Sequence, residues 1–275
     1  MAVTVASSSL TTVSSTNRNS VVITKPTGLA VGDLLLAHIS RNGAGTLTEP
    51  SGFTVLRTDV GGGALIRNTI SYKIADATDV AASNFTWSWT LTDLINGGLM
   101  RITGFNTAQL IYASSSATAT DTENPSFANT ITPFVPESLL VMFLAGGGND
   151  NPIGGYAVAT SNPSWTESWD GEDGSANGVW MAAAFANRTQ VTATGNSSVT
   201  GGEATMDSNC VLLTIGPANE TTQTDTTTIT DATVFGFAII ISDVLSITDT
   251  VTATATRLWN TVTKNVSTWY NQNKT

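Results

Sequence analysis

The sequence contains one cysteine and one histidine, which limits the chemistry that it can support. Cys210 alone excludes an intrachain disulfide, and its apolar run CVLLTIG predicts a small core residue. His38 lies in the apolar run LLLAHIS and is interpreted as a buried strand residue, although a Ser-His-Asp site would have to use it. One His and one Cys also exclude the usual ligand sets of zinc. Packing or partners must therefore stabilise the protein, and we expect no cofactor.

Charged side chains are scarce as well, at 12% of the 275 residues, and acidic ones prevail to give a net charge of −10. Nucleic-acid binding needs clustered Lys and Arg, so we expect no nucleic-acid partner. The longest apolar run, residues 234–241, is too short to cross a bilayer, and the start lacks the pattern of a secretory signal. We therefore expect no membrane partner and synthesis in the cytoplasm.

What remains is a composition rich in Thr, Ser, Asn, Gly and Ala, which favours strands and turns over helices. Strand-like segments recur between turn signals, as in an all-β sandwich or barrel. In the segment NFTWSWTL, Phe85, Trp87 and Trp89 fall on one face of a strand and polar residues on the other. The candidate strands of the first half are 20–24, 34–40, 54–59, 64–74, 84–91 and 98–105.

The second half of the chain repeats the first. GDLLLAHIS matches ESLLVMFLA, EPSGFTVLR matches NPSWTESWD, GALIRNTISYKIAD matches NGVWMAAAFANRT, and GLMRITGF matches CVLLTIGP, all in the same order. The two copies, 20–113 and 126–217, could be two small domains or the halves of one sandwich or jelly roll. The second is favoured, because each half alone would have a thin core. We thus expect an all-β sandwich or jelly-roll body over 1–217.

The segment SWTESWDGEDGSANG combines acidic residues with two tryptophans and is a candidate ligand loop. Oxygen-rich turns bind calcium, but the spacing fails the calcium-loop pattern, so we interpret the segment as an exposed acidic loop without a metal. Carboxylates beside tryptophan would also suit sugar chemistry. The candidate residues are Trp165, Trp169, Asp170 and Asp173. The glycine-rich stretch AGGGNDNPIGG before it lacks the ending of a phosphate loop and predicts a long flexible loop.

Residues 218–275 are Thr-rich and are predicted to form an extended β arm that pairs with something else. At its end, Trp259 and Trp269 lie ten residues apart, which places both on one side of an extended strand. Two tryptophans on one side would anchor a neighbouring chain, since Trp dominates interface hot spots; alternatively they fold back on the body. The candidate partner-binding residues are Trp259, Lys264, Trp269, Tyr270 and Lys274.

The order of motifs over residues 20–217 resembles a family of tailed-bacteriophage virion structural proteins, the β-sandwich proteins of head decoration and tail. The matching residues are Gly32, Asp33, Leu34, Leu35, Pro50, Gly52, Phe53, Thr54, Tyr72, Lys73, Ala75 and Phe85. The chain end is similar to the Trp-Thr-Asn-Gln-x-Lys repeats of phage structural proteins, and its first copy departs from them at Thr261 and Val262.

This resemblance implies a non-enzymatic structural protein of the virion, assembled in the host cytoplasm. The simplest form is a capsid decoration protein whose C-terminal arm binds other virion proteins, such as the major capsid or tail proteins. A homo-oligomer, for instance a trimer, would suit the symmetry of a particle. The alternatives are a tail or fibre adhesin that binds host surface glycans through the exposed loops 146–156 and 165–174, and a carbohydrate-active enzyme.

Overall fold

The computed structural model describes residues 2–12, 18–61, 66–119, 124–147, 153–172, 178–201, 208–218, 224–225 and 249–250. Within these ranges the protein is all-β apart from one short helix, which confirms the predicted β-sandwich class. The chain divides into two units, Met1–Ala218 and Asn219–Thr275. In the second unit the described residues form a two-stranded ladder, Thr224–Asp225 with Asp249–Thr250. The five predicted partner-binding residues of the arm lie outside the described residues.

The first unit contains sixteen described strands, eight in each half of the repeat. The first half comprises β1 (Thr4–Thr12), β2 (Arg18–Thr24), β3 (Leu34–Asn42), β4 (Leu47–Thr48), β5 (Thr54–Val60), β6 (Ile66–Ile74), α1 (Ala77–Ala81), β7 (Asn84–Asp93) and β8 (Ile95–Thr103). The second comprises β9 (Ala113–Ala119), β10 (Ser126–Phe127), β11 (Ser138–Gly147), β12 (Gly154–Val158), β13 (Thr166–Glu172), β14 (Val179–Arg188), β15 (Ser197–Thr200) and β16 (Ser208–Ile215).

Each half folds into one five-stranded and one three-stranded antiparallel sheet. The first half has the strand orders β1-β8-β3-β6-β5 and β2-β7-β4. The second half has β9-β16-β11-β14-β13 and β10-β15-β12, which is the same arrangement with every strand number raised by eight. The internal repeat is therefore a repeat of strand topology as well as of sequence.

Among the described residues the four sheets enclose three large hydrophobic cores, besides a small cluster of Ile66, Ala145 and Val179. Strand β3 is central and buried on both faces: Leu34 and Leu36 face the other half, while Leu35 and Ala37 face the three-stranded sheet of their own half. Strand β11 does the same in the second half. Each half thus has a substantial core of its own, so the expectation that each half alone would have a thin core is wrong. A third core joins the two five-stranded sheets. Such strands read as continuous apolar runs because both faces are covered.

The two five-stranded sheets pack face to face with their strand orders reversed. Strand β1 lies against β13, β3 against β11, and β5 contacts β9 through a hydrogen bond from Arg57 to Ser116. Since β9 repeats β1 and β13 repeats β5, the two halves are related by a pseudo-twofold axis, as in an isologous dimer. Polar contacts also cross this interface, among them Asn68 Nδ2 donating to Asn209 Oδ1 at 2.9 Å.

Strand β7 has the alternation that its sequence predicts. Phe85, Trp87 and Trp89 are buried, and the residues between them are exposed. The sequence match of GLMRITGF with CVLLTIGP is wrong by one residue, however. It pairs Met100 with Leu212, whereas Met100 shares the central core with Leu213. A shift of one residue turns every side chain of a strand to the opposite face, so only the sheet register reveals the offset.

Candidate ligand groove

The second half carries a groove beside the turn that leads from β12 into β13. This turn contains Asn162, Pro163, Ser164 and Trp165. The Oδ1 atom of Asn162 accepts hydrogen bonds from the Trp165 indole Nε1 at 3.0 Å and from the backbone N–H of Val158 at 3.2 Å. The Asn162 side chain therefore fixes both the indole ring and the turn to the end of β12.

The groove has a volume of about 510 Å³ on one side of this turn. Its lining residues are Gly154, Gly155, Tyr156, Asn162, Pro163, Ser164, Trp165 and Glu167. A smaller cavity of about 210 Å³ on the other side shares Pro163 and Ser164 and is otherwise lined by Ser161 and residues 187–190. The turn thus stands between two concave surfaces.

Two aromatic rings form the inner wall of the groove. The centroids of Tyr156 and Trp165 lie 6.5 Å apart with the ring planes tilted by 38°. Tyr156 is buried and its hydroxyl donates to the carbonyl of Ile153, while Trp165 is half-buried. Burial raises the pKa of Tyr156, and the charges of Glu167 and Asp170 raise it further, so the phenol is neutral at ordinary pH.

Carboxylates give the groove a negative rim. Glu167 is exposed, and Asp170 is half-buried on β13, where its Oδ2 accepts the backbone N–H of Ile153 at 2.8 Å. Burial raises the pKa of Asp170; this hydrogen bond opposes the shift, and the charges of Glu167 and Glu172 add to it. Acidic side chains are therefore concentrated on one wall.

The structure separates the four candidate residues of the ligand loop. Trp165 lines the groove and Asp170 lies next to it, whereas Asp173 lies outside the described residues. Trp169 is not part of an exposed loop: it is 5% exposed and packs in the central core against His38 and Phe143. An irregularity in the pairing of β13 with β14 between Glu167 and Trp169 accompanies this inward placement of the ring.

Sequence reasoning placed Tyr156 at the end of a loop expected to bind glycans, but it missed that Tyr156 and Asn162 are neighbours of Trp165. They come together because β12 folds back onto the turn before β13, a tertiary contact that no periodicity reports. Asn162 does carry a local signal, since Asn before Pro-Ser is typical of a turn. The glycine-rich loop is described only in part: Gly154 and Gly155 line the groove, and residues 148–152 lie outside the described residues.

The corresponding turn of the first half is closed. Lys73 Nζ donates to the carbonyl of Ser51 at 3.2 Å and forms an ion pair of 2.7 Å with Asp79 of α1. Phe53, the counterpart of Trp165, packs edge-on against Phe85 and Trp87. In the second half, residues 189–196, all of them described, form no helix. Lys73 and α1 therefore cover this turn in the first half, whereas the corresponding turn of the second half lies beside a groove.

The single histidine and the single cysteine are both fully buried, as the sequence predicts. Among the described residues no group of three or more His, Cys, Asp or Glu side chains is placed to hold a metal ion. Among the same residues no helix is long and apolar enough to span a membrane. No family model, curated protein or solved structure matches the chain.

Proposed function

We propose that the chain is a non-enzymatic structural protein of a tailed-bacteriophage particle, with the double sandwich as a displayed body. The observation that carries the proposal is the strand order. In each half, strands one, eight, three, six and five are neighbours in one sheet, and strands two, seven and four in the other. This order favours a jelly roll, a chain wound as two Greek keys, which viral capsid and lectin domains use. The motif resemblance over residues 20–217 supports the same setting.

In this proposal residues 218–275 attach the body to neighbouring virion proteins. Trp259 and Trp269 would supply the anchors, and Lys264, Tyr270 and Lys274 would add further contacts with the partner. Apolar anchors of this kind contribute most of the binding energy of an interface, while rim residues contribute little. The simplest position is the capsid surface, where the body would be present in many symmetric copies.

Copy number tests this assignment. Purified particles are analysed by quantitative mass spectrometry against the major capsid protein. A ratio near that of the capsid protein means a decoration protein, and a few copies mean a tail or fibre component. Absence from particles overturns the proposal.

The role of the arm is tested in the full chain. Replacing Trp269 by Ala should lower the number of copies retained per particle, because it removes one anchor. Phe134→Ala is the matched control, since Phe134 is an aromatic residue of the body that is 70% exposed. Equal retention of both variants would contradict the assignment of the anchors.

A tail or fibre adhesin for host surface glycans is the second candidate function. The open groove beside Trp165 favours it, because sugars are bound at exposed aromatic residues flanked by polar groups. A copy number of a few per particle would support this candidate over capsid decoration.

A further inference from the structure

We propose that the groove beside Trp165 binds a neutral saccharide, with one pyranose ring lying against the indole. Its hydroxyl groups would bond to Glu167 and Asn162. A sugar would occupy the groove in the same way whether the chain decorates a capsid or belongs to a tail.

The size and the shape of the groove suit one or two sugar rings. Its volume of about 510 Å³ falls within the ~300–1,000 Å³ range of small-molecule sites. Gly154 and Gly155 form part of the wall, and their lack of side chains leaves the backbone accessible to a ligand. At Gly154 an added Cβ would have its nearest neighbour 4.0 Å away, so the space on this side is open.

The aromatic wall provides the surface against which a sugar ring packs. A pyranose presents C–H groups on one face, and these carry a small positive charge that the negative face of an indole attracts. Trp165 is held in place by its hydrogen bond to Asn162 and by its contact with Tyr156. A ring that is already fixed loses little conformational entropy on binding, which favours affinity.

The polar groups of the groove match the hydroxyl groups of a sugar. The exposed carboxylate of Glu167 accepts hydrogen bonds, and charge-assisted bonds of this type are the stronger ones. Because Asn162 Oδ1 accepts two bonds from within the protein, the amide nitrogen is the part of Asn162 that serves a ligand as donor. The groove therefore offers one acceptor and one donor beside the aromatic wall.

The charge of the groove selects neutral sugars. Glu167 lies at the rim and Asp170 behind it, close enough for each to affect the titration of Tyr156. An anionic sugar, such as a sialic acid or a uronic acid, would bring its carboxylate towards these groups and be repelled.

The turn of the first half that corresponds to the groove shows how many saccharide sites to expect in one chain. This turn is held by Lys73 and α1, and Phe53 packs against Phe85 and Trp87. Phe53 is half-buried, but its ring packs on two core aromatic rings and the Lys73 side chain lies against the neighbouring Gly52, so we expect no sugar to bind there. We therefore expect one site per chain in spite of the repeat.

The test is a binding measurement on the purified full chain by saturation-transfer NMR and calorimetry. The probes are neutral oligosaccharides of glucose, galactose, mannose and N-acetylglucosamine, with sialyllactose and an oligogalacturonate as anionic probes. We expect at least one neutral probe to bind at one site per chain. Trp165→Ala should weaken binding at least about tenfold, and Trp165→Phe should weaken it less.

Two further variants separate binding from folding. Glu167→Gln, at an exposed position, should weaken binding about threefold or more without changing the urea midpoint. Phe134→Ala, which removes an exposed aromatic residue that does not line the groove, should leave binding unchanged.

Three results would overturn the assignment: no binding of any neutral probe, unchanged affinity in a folded Trp165→Ala variant, or tighter binding of an anionic probe. Each of them is independent of the number of copies in a particle. Failure of the saccharide site and failure of the virion assignment are therefore distinguishable.

Discussion

The imidazole ring of His38 lies 4.8 Å from the ring of Phe143, and the two residues occupy the same position in the two repeats. They meet across the pseudo-twofold axis in the central core. The ring of Trp169 lies 6.3 Å from His38 on another side. The only histidine of the chain is thus enclosed by aromatic rings at the junction of the two halves.

This position makes the stability of the body depend on pH. Burial lowers the pKa of His38 to about 3, with the Asn68 amide opposing the shift in part. In the unfolded chain a histidine has a pKa of about 6.5. Between these values the unfolded state binds a proton that the folded state excludes. The free energy of unfolding should therefore fall by up to about 1.4 kcal/mol per pH unit as the pH drops from about 6 to about 4.

Urea unfolding at pH values from about 7 to about 4 measures this dependence. His38→Leu removes the titrating group and keeps an apolar side chain, so its curve should be flatter by the same amount. Carboxylates titrate in both proteins, and the difference between the two curves isolates His38. Parallel curves would show that His38 binds its proton equally in the folded and unfolded states.

Gly98 packs directly against the indole of Trp169. A Cβ at position 98 would lie well inside van der Waals contact with that ring. Gly98→Ala should therefore destabilise the body by about 1–3 kcal/mol, measured as a lower urea midpoint. Gly154→Ala is the matched control, since a Cβ there meets its nearest neighbour only at 4.0 Å, and it should change stability much less. Equal effects of the two substitutions would contradict close packing at Gly98.

A second substitution tests whether Gly98→Ala destabilises the body because the added methyl group clashes with Trp169. In a Trp169→Leu background the shorter side chain leaves room for the added methyl group. Gly98→Ala should then cost less than it does in the wild type, giving a coupling energy of about 1 kcal/mol or more. Additive effects would assign the loss to some other contact.

The sequence predicts the strands well because the faces of a strand that are buried determine the spacing of its apolar residues. NFTWSWTL alternates, and LLLAHIS is mainly apolar because β3 is covered on both faces. The five-residue helix Ala77–Ala81 escapes prediction, since it is too short for a helical period. Its one local signal is the cap at Asp76, which accepts the backbone N–H groups of Thr78 and Asp79.

The groove is less predictable than the strands, because it depends on which turn is covered. Trp165 and Trp169 stand in the same acidic segment, yet one lines the groove and the other is buried in the central core. An irregularity within β13 separates them, and bulges leave no pattern in a segment this short. That the first half is closed follows from the Lys73–Asp79 ion pair, a contact that the sequence match between the halves does not contain.

A buried amide pair links the two halves of the body. Asn68 Nδ2 donates to Asn209 Oδ1 at 2.9 Å, and both side chains are inaccessible to solvent. Asn209→Ala would leave the Asn68 amide without this partner, which should lower the free energy of unfolding by about 1–3 kcal/mol. A double-mutant cycle in urea with Asn68→Ala checks the assignment. The double variant should cost less than the sum of the single variants, and strict additivity would show that the pair is not coupled.

Cys210 should report the unfolding of the second half. Its thiol is fully buried, and burial raises its pKa to about 12, although its hydrogen bonds with Ser197 and Asn129 oppose the shift. The thiolate is the nucleophile that attacks thiol reagents, so the folded protein at a pH of about 8 should react at least about a hundredfold more slowly than the chain in denaturing urea.

The matched control for this measurement is a Thr86→Cys variant, which adds a second thiol at an exposed position of β7. That variant should release one fast equivalent under native conditions and the slow equivalent of Cys210 only as the protein opens. Destabilising changes such as Asn209→Ala should speed the slow phase, because local or global opening limits access to the buried thiol. Fast labelling of wild-type Cys210 under native conditions would mean that the core around β16 opens far more often than its packing implies.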